Sequence, residues 1–82
     1  MTSSALNVDD FADGKVRMFE AKVKEDSPVV NIPLKDLNIP KDILMAMVFR
    51  RHQMIIPHGN DYVIPGDNVY FVGKHEAIRE FE

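Results

Sequence analysis

A chain of 82 residues holds one domain at most and buries only a modest share of its surface alone, so a second copy would supply missing burial. Apolar residues make up 45% and charged residues 28%, the balance of a globular chain and not of a disordered one. A net charge of −3, from 10 basic and 13 acidic side chains, argues against a general nucleic-acid surface, and the absence of cysteine excludes a disulfide scaffold, a thiolate metal site and a cysteine nucleophile.

Residues 1–14 read as a polar lead-in from a preceding domain. Leu6, Val8 and Phe11 are its anchors and Asp13-Gly14 is a turn signal. The start carries no basic region followed by an apolar stretch, so no signal peptide is expected. The first strand is predicted over Lys15 to Lys24. Its apolar positions change parity between Met18 and Phe19, which predicts a β-bulge near Met18. After the loop Lys24–Pro28, Val29 and Val30 are expected to form a short edge strand. Pro33 and Pro40 then bracket about one helical turn, with Leu34, Leu37 and Ile39 facing inward.

Ile43-Leu44-Met45-Ala46-Met47-Val48-Phe49 is apolar without a break. A strand with one buried face would alternate, so this one is expected to be covered on both faces, one of them by a second copy. Arg50-Arg51-His52 turns it into a hairpin, and Gln53 to Ile56 returns. Pro57–Asp61 stops the return strand and Tyr62-Val63-Ile64 follows. Pro65-Gly66 suits the centre of a type II turn. Asn68 to Gly73 is another strand apolar on both faces, and His75 to Glu82 is a short helix with Ala77, Ile78 and Phe81 on one side. Gly59, Gly66 and Gly73 read as turn glycines. The sum is a small α+β domain with a mostly antiparallel sheet of about five strands, a short helix after the edge strand and a C-terminal helix, dimerising through a sheet face.

No catalytic constellation emerges. His52, His58 and His75 form no ligand pair at helical spacing and each falls at a turn or helix start, where solvated histidines are ordinary. Asp9, Asp10 and Asp13 lack the alternation and distant glutamate of a calcium loop. No glycine motif for a nucleotide cradle occurs, and no apolar run approaches the roughly 18 residues that cross a bilayer. Two local features carry binding chemistry. Arg50-Arg51-His52 offers guanidinium forks that match phosphate, although a solvated turn is the plainer reading. Ile55-Ile56-Pro57 beside Met45 and Met47 offers an apolar cleft, although core or dimer seam is the plainer reading.

Leu37-Asn38-Ile39-Pro40, the long strand ending at Arg50, Ile55-Ile56-Pro57, Ile64-Pro65-Gly66-Asp67 and Val69-Tyr70-Phe71-Val72-Gly73, in this order, resemble the TrkA C-terminal domain, also called RCK-C. The likeness spans residues 15–82, and Asp9 to Val16 looks like the lead-in found in full-length Trk regulatory proteins. The resemblance implies a cytosolic regulatory domain of a bacterial potassium-uptake protein, and not an enzyme. It implies a homodimer that controls potassium transport by sensing a ligand and that reaches the inner membrane only through its transporter subunit. A cyclic dinucleotide such as cyclic di-adenosine monophosphate is the implied effector, at the dimer seam. NAD or ATP would belong only to a Rossmann domain outside this chain. Matching motifs place the ligand site at Arg50, Arg51, Ile55, Ile56 and Pro57. The tip Arg51-His52-Gln53 departs from the Arg-Asp-Gly-like turn of the family. The alternatives are a pure dimerisation module, or the regulatory domain of another cation channel or antiporter.

Overall fold

The computed structural model describes residues 4–81, with side-chain burial from residue 7 onward. Five strands, β1 (Ser4–Phe11), β2 (Val16–Lys22), β3 (Ile43–Arg50), β4 (Gln53–Ile55) and β5 (Asn68–Lys74), form one sheet in the order β1-β2-β5-β3-β4. Every neighbouring pair is antiparallel. Helix α1 (His75–Phe81) follows β5 directly and packs on β5 and β2.

Cross-strand register sorts the side chains onto two faces. Phe19, Phe71 and Met45 are opposite one another along one row, and Ala21, Val69 and Val48 along the next. Together with Ile78 of α1, Val23 and Val63, this face makes the buried core. Val29, Val30, Leu34 and Ile39 from the β2–β3 connection complete its cover. The second face bears Met18, Val72 and Leu44 in one row and Asn7, Glu20, Tyr70 and Met47 in the next. Leu44 is 65% exposed and Met54 59% exposed, so nothing among the described residues covers that face on the β3–β4 side.

The unbroken apolar run of β3 is thereby explained. Its pairing with β5 shifts between Met45 and Met47, a bulge at Ala46. The bulge sends Ile43, Met45 and Val48 to the core and Leu44, Met47 and Phe49 to the open face. In contrast, β2 pairs with β5 from Val16 to Lys22 without interruption, so the bulge expected near Met18 is absent. The change of parity in β2 has another cause: Val16 and Met18 lie on the open face and Phe19 and Ala21 on the core face, and both faces are apolar there.

Three further expectations are corrected. The lead-in is a strand: residues 4–11 pair with β2, with a shift between Ala5 and Asn7. An edge strand tolerates polar side chains, which is why its composition resembles a loop. Residues 1–3 lie outside the described residues. Val29 and Val30 form no strand. They sit in consecutive turns, where Val30 N donates to Ser27 O (3.3 Å) and Asn31 takes a positive φ of 65°. The chain must cross from the end of β2 onto the core within these residues, which leaves no length for pairing. Gly73 is no turn glycine but an interior position of β5. The single helical turn between the prolines is a 3₁₀ turn, Leu34–Asp36.

An ion pair directly across the ladder holds β1. Arg17 Nε donates to Asp10 Oδ1 (2.8 Å) and Arg17 Nη2 to Asp10 Oδ2 (3.1 Å). The Arg17 hydrogen bonds hold the Asp10 carboxyl below its ordinary value of 3.8. A depressed folded-state value makes this contribution complete above the unfolded value and lost as pH falls through the folded one. In urea titrations stepped downward from about pH 6, the difference between wild type and Asp10→Asn therefore shrinks towards zero in the acid range. A difference independent of pH would disprove the role of the charge.

Candidate functional site

The β3–β4 hairpin closes through the two residues Arg51 and His52, both with positive φ, 49° and 67°. Two consecutive positive φ values in a two-residue loop are the type I′ geometry, which suits the twist of the flanking strands but favours Asn-Gly. Here it is occupied by two bulky side chains, a strain of order 1 kcal/mol each. The double variant Arg51→Asn/His52→Gly is expected to raise the melting temperature by about 4–8 °C for each kcal/mol relieved. No rise in a thermal melt would refute the strain.

Arg50, the last residue of β3, points to the core side and meets Asp67. Its Nε donates to Asp67 Oδ1 and its Nη2 to Asp67 Oδ2, both at 2.8 Å, a fork-on-fork pair. Asp67 is 1% exposed, and its Oδ2 also accepts from the Ile64 amide (3.0 Å). The type II turn expected at Pro65-Gly66 presents it: Gly66 has φ 94° and Asp67 N donates to Ile64 O (3.2 Å). The bonds to Asp67 raise the Arg50 guanidinium above its ordinary value. Arg50 Nη2 reaches the carbonyl of Tyr62 as well (3.3 Å).

Beside this pair lies a cleft of about 360 Å³. Leu34, Val48, Ile55 and Pro57 form its apolar wall, and Arg50, Asn60, Asp61 and Tyr62 supply its polar groups. The loop over it is braced by backbone bonds from Leu34 N to Asp61 O (2.8 Å) and from Lys35 N to Gly59 O (3.0 Å). His58 N donates to the Asp61 carboxylate (2.7 Å), which shapes the rim.

Of the residues expected at a ligand site, Arg50, Ile55 and Pro57 line one cleft. Arg51 is exposed on the hairpin tip and Ile56 is 56% exposed, and neither lines it. The sequence reading missed Asp67, Tyr62 and Asn60. The signal for Asp67 was available in an acidic residue that ends a type II turn and opens an apolar strand. Such a carboxylate is buried with the strand and must find a cation. His52 and His58 are exposed, whereas His75 is half-buried, with its ring Nε2 3.9 Å from Asp10 Oδ2.

On the open face, Glu20 is buried between strands and accepts from Asn7 Nδ2 (3.2 Å). Its hydrogen bond to Tyr70, then burial, then its charge, raise the Tyr70 phenol above its usual value.

The TrkA-C domain profile matches residues 18–82, from β2 to the chain end. The chain belongs to the TrkA-C domain family. It is 38% identical over 79 residues to the Trk system potassium uptake protein TrkA homolog 1 of Methanosarcina mazei, covering 96% of this chain and 18% of that protein. It is 25% identical to the Trk system potassium uptake protein TrkA of Mycobacterium tuberculosis, over 87% of this chain and 32% of that one. This TrkA-C domain thus spans between about a fifth and a third of the length of these relatives, which come from an archaeon and a bacterium. A solved RCK domain with cda superposes with a TM-score of 0.67 at 25% identity, covering 78% of this chain and 90% of the other. That likeness agrees with the α+β sheet described above. Among the described residues, no helix of the TrkA-C domain is long and apolar enough to cross a membrane.

Proposed function

We propose that this TrkA-C domain is a cytosolic regulatory module of a Trk-type potassium-uptake protein, which senses a small effector in the β3–β4 cleft and joins two copies through the open sheet face. The observation that carries the reading is the cleft itself, an apolar wall and a polar rim of about 360 Å³ on a TrkA-C fold. It suits a flat ring with hydrogen-bonding edges, and a cyclic dinucleotide is the effector of that chemistry. The similar RCK domain solved with cda supports a ligand on this fold. Arg50 is already matched by Asp67, so it shapes the wall, while Arg51 at the exposed tip is the cation available to a phosphate. Ile56, between Ile55 and Pro57 in the chain, is exposed and lies outside the cleft lining.

The domain acts by binding and not by catalysis. Its effect on a membrane potassium transporter passes through the parent protein, at the cytoplasmic side of the inner membrane. NAD or ATP would be bound by a separate Rossmann domain. For the dimer, support comes from the open face, where Leu44, Met54 and Phe49 present exposed apolar surface beside half-buried Met47 and Val72.

Light scattering and thermal melts with cyclic di-adenosine monophosphate and with ATP test both parts. The expected result is a dimer whose melting temperature rises with the cyclic dinucleotide only, a rise that Ile55→Ala and Arg51→Ala diminish. Leu44→Glu is expected to give a folded monomer. A dimer insensitive to either nucleotide would leave a pure joining module, and a monomer at high concentration would sink the dimer.

A further inference from the structure

We propose that this domain carries a second ligand site, for a small neutral aromatic molecule, in the cavity between α1 and residues 37–39. The core face is covered by two separate pieces. One is α1, which packs on β5 and β2. The other is the β2–β3 connection, which is tied to the 59–63 loop by the bonds from Asn31 N to Val63 O (3.3 Å), from Leu34 N to Asp61 O and from Lys35 N to Gly59 O. No hydrogen bond among the described residues joins α1 to residues 37–39. Between the two covers a cavity of about 230 Å³ reaches down to the sheet.

Val29, Ile39, Met45, Val63, Phe71 and Phe81 dominate its walls. Among the described residues no charged residue lines it and Asn38 is the one polar residue that does, which favours a neutral occupant. Water is a poor candidate, since a held water needs two to four polar partners. Enclosed apolar cavities of roughly 150 Å³ take up benzene, and this pocket, about 230 Å³ and open to solvent on one side, has room for a ring of that size or larger. The aromatic class follows from the walls. Phe71 and Phe81 meet edge-on with centroids 5.0 Å apart, a pairing that a third ring can extend, and the flexible Met45 adapts to ring edges. Asn38 can accept one N–H or O–H from a ring such as indole. Val63 lines this cavity and the polar cleft, so a single buried side chain separates the two sites. This inference is independent of the effector reading, because none of the cavity's other wall residues lines the cleft.

The test is a titration of the 82-residue chain with indole and with benzene, followed by methyl NMR and thermal melts. The expected result is movement of the Met45, Ile39 and Val63 methyl signals and a rise in melting temperature of about 3 °C or more near saturation. Ile39→Phe fills the cavity from its lip and should abolish both effects while leaving the fold intact; if it does not fold, Val29→Phe fills it from the facing connection. Unmoved wall methyls up to the solubility limit of both probes overturn the site. So does a melting shift that persists in a folded filled variant, since the ring would then be bound elsewhere.

Discussion

Asp67→Ala is expected to cost about 3 kcal/mol, the largest loss of any single polar substitution in this domain. Its carboxylate is 1% exposed and accepts three hydrogen bonds, two from Arg50 and one from the Ile64 amide. Removal leaves a partly buried guanidinium and a backbone donor without their acceptor, and the unmet groups dominate the cost. In a domain of this size each kcal/mol moves the melting temperature by about 4–8 °C, so a fall of more than 10 °C is expected. Arg50→Lys should cost less, because an ammonium keeps the charge but not the fork. Thermal melts of the two variants decide: a fall of under about 3 °C for Asp67→Ala would show that the pair contributes little beyond a surface ion pair. The same substitution bears on the cleft. Arg50 also donates to Tyr62 O, so without Asp67 the guanidinium is free to move and the polar side of the cleft loses its fixed shape.

The second large effect is expected at Gly73. A Cβ at this position would lie 2.4 Å from the carbonyl oxygen of Asp42 and 3.1 Å from the Cα of Ile43. Both obstacles are backbone and neither can swing aside. The Asp42 carbonyl is held in place by the Lys74 amide, which donates to it at 3.3 Å. Gly73→Ala should therefore force β3 away from β5 at the Ile43 end and cost about 3 kcal/mol, at the upper end of overpacking substitutions. Urea denaturation gives the cost, and amide exchange at Leu44 and Met45 gives its location. A midpoint equal to wild type would mean that the strands separate there without loss. No lesser role accounts for this glycine, since it occupies no turn.

Much of the architecture was legible in local pattern. The strand from Ile43 to Arg50, the Pro65-Gly66 turn, the strand after it and the final helix with Ile78 inward all lie where the sequence places them. Each is marked by a feature that acts over a few residues: an apolar run, a proline beside a glycine, or a helical stripe. The lining of the β3–β4 cleft was legible in part. Ile55 and Pro57 were named through the matching motifs, and both line the cleft, whereas their apolar character alone reads equally as core or dimer seam. Arg50 was legible too, but its partner was not, because Asp67 lies 17 residues away and only the folded turn brings the two together.

By itself the amino-acid sequence determined the class of this protein: one small α+β domain with antiparallel strands and two-faced apolar strands, and a TrkA-C chain by its ordered motifs. The fold class follows from periodicity, turn chemistry and composition, which are carried by neighbours in the chain, whereas the family follows from the likeness of the ordered motifs alone. The tertiary structure alone decided the rest. It turned the polar residues 4–11 into the edge strand β1, because an edge strand takes its stability from the ladder of β2 and not from its own side chains. It moved the bulge from β2 to Ala46, because only the pairing with β5 specifies where register must shift. And it committed Arg50 to a buried carboxylate instead of to solvent, because a charge is assigned its partner by burial, which no stretch of sequence displays.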